Sequence, residues 1–253
     1  MLISDLAWPD LQPGPEDHVI LPVGALEPHG PHLPLGSDTM ISDHFARRLA
    51  HDIGGRVAPT LGYGVATPSQ RLGGTFPGVI SISGDTFTAV VTEVLASLVR
   101  HGYRRLLLVN SAIDNISFLC EAARDLTERS PGVRVMIVNW WDVVGEDFRN
   151  ALARESGTAR QDDHHAGMVE SSLVMHISPH AVRTDRLTAD GGVEQPRRIS
   201  YHLYPQPADT ATSSGIVYTA AGAGAGVGER VADQVARRLA DAVRREFAAP
   251  LPS

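Results

Sequence analysis

Glu27, His29, His32 and Asp38 lie within twelve residues, and imidazole and carboxylate are the side chains that hold zinc, manganese or iron. Pro28, Pro31 and Pro34 stiffen the stretch between them, so the four groups read as a metal cradle. A second polar cluster, Asn110-Ser111-Ala112-Ile113-Asp114-Asn115, adds Asp114. A third runs from Trp140-Trp141-Asp142 to Asp162, Asp163, His164, His165 and Glu170. A bridging carboxylate with a His and carboxylates on either side makes a two-metal hydrolase site. Such ions share one water, lower its pKa and polarise the scissile carbonyl. His164 or His165 is then the expected proton donor, because imidazole titrates near working pH. Plainer roles stand beside these. Asp162 and Asp163 suit a helix cap or an exposed acidic pair, Glu170 a helix-face salt bridge, and Trp140 and Trp141 either core packing or stacking on a planar or cyclic substrate.

The elements between the clusters place them. Residues 19–23 read as a buried strand, and Ser37 or Asp38 opens a helix to about His51, with Ile41, Phe45 and Leu49 at helical spacing. Asp38 then sits at a helix start, where capping and metal binding are compatible. Strands are expected at 56–60, 79–83, 105–110 and 133–140. Helices are expected at 86–101, from 117 to about 128, and at 147–155, 171–177 and 229–247. Residues 61–77 form a Gly- and Pro-rich loop, and residues 188–214 a polar one. Leu106-Leu107-Leu108-Val109 is the continuous apolar run of a strand buried on both faces. Alternating strands and helices point to a mostly parallel sheet with helices on both sides, an α/β three-layer sandwich. In such folds ligands bind at the carboxyl ends of the strands, where all three clusters fall. No repeat or composition break divides residues 1–253, so one domain is expected.

The net charge of −7 argues against a nucleic-acid partner, which requires concentrated basic charge. All 22 basic residues are Arg. Cys120 is the one cysteine; it rules out an intrachain disulfide and is expected in the core of a helix. No apolar run reaches the ~18 residues of a membrane span and no secretion signal is visible, so the expected location is cytoplasmic. There is no Gly-x-Ser-x-Gly elbow and no paired-cysteine zinc knuckle. A metal-dependent amide or peptide hydrolase is left by exclusion as well as by content.

At these residues the sequence resembles the creatininase (creatinine amidohydrolase) family. The resemblance rests on Glu27, His29-Gly30-Pro31-His32-Leu33-Pro34 and Asp38, on residues 75–81, and on His165-Ala166-Gly167 followed by Glu170-Ser171-Ser172. Residues 176–186 and the tail look most like the branch that trims the mycofactocin precursor peptide. The resemblance implies a homohexamer and two divalent ions such as zinc, manganese or iron. It implies one ion on residues matching Glu27 and Asp38 plus a His, and the other on residues matching His29 and Asp38 plus a Glu. Here Asp114 takes the place of that Glu, and Ala112 stands where the family has the His. The expectation is therefore one firmly held ion per chain on His29, Asp38 and Asp114. The second site, with Glu27 and the shared Asp38, should be weak or empty unless His32, His164 or His165 completes it. His165, with His164 or Glu170, would handle the proton, and Trp140, Trp141 and His32 would contact substrate. The implied activity is hydrolysis, or the reverse ring closure, of a non-standard amide: a lactam, cyclic amidine, formamide or modified peptide end, on a biosynthetic route, with a small molecule or short peptide as substrate. The rival expectations are a binding protein that has kept the fold without turnover and an enzyme using the emptied pocket without metal.

Overall fold

The computed structural model describes residues 1–68, 76–158, 160, 163–187, 200, 203–210, 213–217 and 219–248. Thr75, Asp162 and most of the 188–214 loop lie outside them. Four strands, β1 (His18–Val23), β2 (Arg56–Val57), β3 (Arg105–Asn110) and β4 (Arg134–Asn139), pair in the order β2-β1-β3-β4, all parallel. The registers Val23↔Asn110 and Asn110↔Asn139 bring the carboxyl ends of β1, β3 and β4 level.

Successive strand residues point to opposite faces, and β3 uses both. Leu107 and Val109 face a core built with α1 (Ser37–Ile53), α5 (Met168–Ile177) and α6 (Ala225–Ala248). Leu106 and Leu108 face a second core with α2 (Gly84–Arg100) and α3 (Ile116–Arg129). This is the expected three-layer arrangement, and it explains why β3 has no polar alternation. A shorter helix, α4 (Glu146–Ser156), adds Leu152 to the first core. No helix among the described residues is long and apolar enough to cross a membrane.

Three local expectations are corrected. The expected strand at 79–83 makes only isolated bridges, Leu26↔Ile80 and Val65↔Ile82. Its last residue is taken up as the N-cap of α2, where the Ser83 hydroxyl accepts from Thr86 N (3.3 Å). The second strand stops at Val57, although the chain stays alongside β1 through Ala58 N donating to the Ile20 carbonyl (2.8 Å). Cys120 is exposed, because the buried stripe of α3 is Leu119, Ala122 and Leu126 and residue 120 falls a third of a turn off it.

Helix α5 also starts earlier than its apolar pattern indicates, at Met168, which puts Glu170 in the first turn. It packs on α6 closely enough that a Cβ at Gly228 would collide with the Ser172 carbonyl. Backbone on both sides leaves nothing flexible to yield. Gly228→Ala is therefore expected to lower unfolding free energy by about 1–3 kcal/mol, read from urea denaturation.

Candidate active site

The ligand loop leaves β1 at Val23 and enters α1 at Ser37. Asp38, 1 % exposed, lies in the first turn of α1, where the positive end of the helix macrodipole favours a carboxylate. His29 is fully buried, and Gly30 in the left-handed region (φ 67°) turns the chain after it. His29 Nδ1 lies 3.2 Å from the Glu27 carbonyl, so Nδ1 carries the proton there and Nε2 is turned inward. Nε2 faces Asp38 Oδ1 at 3.3 Å and Glu170 Oε2 at 3.9 Å. Burial alone would lower the His29 pKa, but Asp38, then Glu170 and Glu27, outweigh it and push it up to about 10.

The second wall comes from the turn before α5. Ala166 takes the left-handed conformation (φ 54°), which is strained for a residue with a Cβ. In that conformation its N–H donates to Glu170 Oε2 at 2.6 Å. Glu170 thus satisfies a backbone donor ahead of the helix and faces His29 as well. Burial first, and then Asp38, raises its pKa to about 7 against the pull of His29.

His165 Nε2 sits 2.7 Å from the Pro28 carbonyl, which fixes the proton on Nε2. Its Nδ1 lone pair then points toward Glu27 Oε1, 3.5 Å away. Burial, followed by the neighbouring His29 ring at 4.3 Å between centroids, drives the His165 pKa down to about 3. Glu27 lies well above the usual carboxyl range through burial and the nearby Asp38, although Thr67 donates to its Oε2 (3.1 Å).

Two compact groups result, each with ligand atoms within 4.8 Å of one another: His29, Asp38 and Glu170, and Glu27, His29 and His165. His29 Nε2 and Asp38 Oδ2 are buried without a hydrogen-bond partner. Uncompensated buried polar atoms are costly, and nitrogen and oxygen donors converging this way fit a divalent cation. Backbone carbonyls on the outer nitrogen of each imidazole supply the orientation such ligands need.

The remaining expected residues are distributed unevenly. Asp114 is in neither compact group; it lies in a short turn after β3, its pKa raised by burial and by Asp38 against a Thr67 hydrogen bond. Ala112 is buried and brings no ligand. His32 was expected at the substrate, but its Nε2 pairs with Ser171 Oγ at 2.7 Å. Burial, then the His29 charge, lowers its pKa to about 4, so it is a neutral strut between the ligand loop and α5. Trp140 is buried and stacks on Phe45 (6.1 Å) with Trp141 edge-on (6.0 Å). Both indoles nevertheless line a cavity of about 290 Å³ together with Glu27, His164, His165 and Glu170. His164 is exposed at its rim.

Buried asparagines hold the frame. Asn110 Nδ2 donates to Asn139 Oδ1 (2.9 Å) and to the Ala112 carbonyl (2.8 Å). Asn115 Nδ2 donates to the Gly24 carbonyl (3.0 Å), and its Oδ1 accepts from Val65 N (2.9 Å). Neither role is visible without the pairing of strand ends. Ser111 and Arg149, which also line the cavity, were not anticipated: the first is an unremarkable serine in a polar cluster, the second one of many arginines on helices.

A family profile described as creatinine amidohydrolase matches residues 4–243. Creatinine amidohydrolase of Pseudomonas putida is 30% identical over 258 residues, spanning 98% of this chain and 97% of that protein. A mycofactocin precursor peptide peptidase of Mycobacterium ulcerans is 33% identical over 68% of this chain and 62% of its own length. A solved manganese form of creatininase superposes with a TM-score of 0.88 at 28% identity, covering 98% of this chain and 99% of the other. The chain belongs to the creatininase family and is an enzyme of its amidohydrolase and peptidase kind.

The strut between the ligand loop and α5 can be tested alone. Ser171→Ala leaves His32 buried without its partner and is expected to cost about 1–3 kcal/mol of unfolding free energy, measured by urea denaturation.

Proposed function

We propose that this protein is a divalent-metal-dependent hydrolase of a non-standard C–N bond: an amide, lactam, cyclic amidine or modified peptide end. The observation that carries the reading is the buried convergence of His29 Nε2, Asp38 and Glu170 with no partner for His29 Nε2 or Asp38 Oδ2. His29, Asp38 and Glu170 would hold one ion firmly, since His29 has only Nε2 to offer once Nδ1 is committed to the Glu27 carbonyl. Zinc, manganese or iron suits this donor set, and creatininase has been solved in a manganese form and, as a mutant, in a Zn-Zn form. Glu27 and Asp114 are the carboxylates left for a second, weaker ion. Bound there, such a cation activates water and polarises a carbonyl.

The chain's own groups divide the remaining work. Burial and Asp38 make Glu27 hold a proton more tightly than an ordinary carboxyl does, and His165 Nδ1 is the acceptor that faces it. That pair can therefore store a proton at Glu27 Oε1 and release it to a departing nitrogen. His164, at the rim, is placed to meet the substrate. Trp140 and Trp141 offer ring surface to a planar substrate. The reading takes the chain as one creatininase-like domain, a cytoplasmic homohexamer on a biosynthetic route, with a small molecule or short peptide as substrate. Buried Ala112, which offers no ligand, favours a second reading, a binding protein without turnover.

Metal content of protein purified without added metal or chelator separates these readings. About one ion per chain is expected, lost in Asp38→Ala and in Glu170→Gln but kept in Asp114→Asn. Loss in Asp114→Asn with retention in Glu170→Gln would move the third ligand to Asp114. No ion even after soaking in zinc or manganese would favour the binding protein.

The affinity should also depend on pH. Without metal, His29 carries a second proton on Nε2 below about 10 and Glu170 a proton below about 7, and each must leave before its atom can bind a cation. Apparent zinc affinity should therefore rise with pH from 6 to 8, with proton release visible by calorimetry in buffers of different ionisation heat. A flat profile would contradict the ligand set.

A further inference from the structure

The cavity lined by Glu27, His165 and Glu170 is also lined by Arg149 of α4. Among the described residues it is the one Arg on that lining. Its guanidinium is partly buried and held from behind. Nε donates to the Val144 carbonyl (3.4 Å), and Nη2 donates to the Trp141 carbonyl. Among the described residues, no carboxylate comes within ion-pair distance of it. Burial and the Arg160 charge disfavour its cationic form, and Asp163, Glu146 and Asp142 offset them only from a distance. A guanidinium has five N–H donors in a rigid fork, so an edge remains after the two carbonyls are served.

That open edge calls for a ligand carrying acceptor oxygens. A carboxylate matches a guanidinium edge in a planar, two-bond arrangement.

We propose that Arg149 is a specificity-determining residue that receives a carboxylate of the substrate. The C–N bond cleaved then belongs to an acid, such as an N-acyl amino acid or a peptide with a free carboxyl end. This rests on the hydrolase reading for the site, but the binding it describes can be measured without turnover.

The test is calorimetric binding to the full chain, as purified and after zinc loading. The probes are N-acetylglycine, N-acetylphenylalanine and N-acetyltyrosine, each beside its primary amide and its aminophosphonate analogue. The acids are expected to bind at least about tenfold more tightly than the amides. Arg149→Gln should erase that difference, and Arg149→Lys, which keeps charge without the fork, should retain part of it. Equal binding of acid and amide by the natural protein, no detectable binding of any acid, or a difference that survives Arg149→Gln would overturn the proposal. Tighter binding of the phosphonates would overturn the carboxylate assignment. Circular dichroism checks that Arg149→Gln is folded; if it is not, the natural protein and Arg149→Lys decide. Acetate release, followed separately, tests hydrolysis. Acid preference without release under any metal loading would sink the hydrolase reading and leave the role of Arg149 standing, while release without acid preference would do the reverse.

Discussion

The structure depends on keeping a cluster of ionisable groups out of water. Glu27, His29, Asp38, His165 and Glu170 share one small volume at the carboxyl ends of the strands, where transferring an isolated charge from water costs several kcal/mol. Every element around them lessens that cost. The start of α1 faces Asp38 with its positive end. The Glu27 and Pro28 carbonyls take the outer protons of the two imidazoles. The left-handed turn at Ala166 gives Glu170 a backbone donor. What these contacts leave is Asp38 Oδ2 without a hydrogen-bond partner and His29 Nε2 with only its ion-pair contact to Asp38 Oδ1, a set a divalent cation would satisfy.

Such a cluster needs a frame that does not yield, and the asparagines supply it. Asn110 and Asn139 are level in the parallel register and bonded to each other, while Asn115 ties the β1 exit to the loop carrying Val65. A buried amide that has met its hydrogen-bonding needs resists displacement, because any shift leaves a donor or acceptor unpaired. The His32–Ser171 bond does the same between the ligand loop and α5. The two halves of the site, nearly 140 positions apart in sequence, are therefore locked by polar contacts that carry no chemistry of their own.

The cavity is chemically uneven. Glu27, Glu170, His164 and His165 bring carboxylate and imidazole to its lining, while Trp140, Trp141, Ser111 and Arg149 bring ring surface and polar groups. In a chain of net charge −7, a partly buried guanidinium shares one cavity lining with Glu27 and Glu170.

The sequence by itself determined the layers and the ligand loop. The apolar run of β3 could only be buried on both faces, and two His with two carboxylates between prolines marked the loop after β1 as a candidate ligand loop. Both are local patterns, set by side-chain period and composition within a few residues. It also singled out His165 and Glu170, which the fold brings beside His29. The tertiary structure decided which nitrogen of each imidazole faces inward, that Glu170 and not Asp114 completes the compact group around His29, and that His32 turns away to hold Ser171. It also turned Cys120 to solvent and Arg149 into the cavity. These outcomes depend on strand register, on the first turn of α5 and on backbone carbonyls contributed from distant positions. None of that leaves a trace in local spacing, because a hydrogen bond across 137 residues is fixed by the packing of the layers and by nothing nearer in the chain.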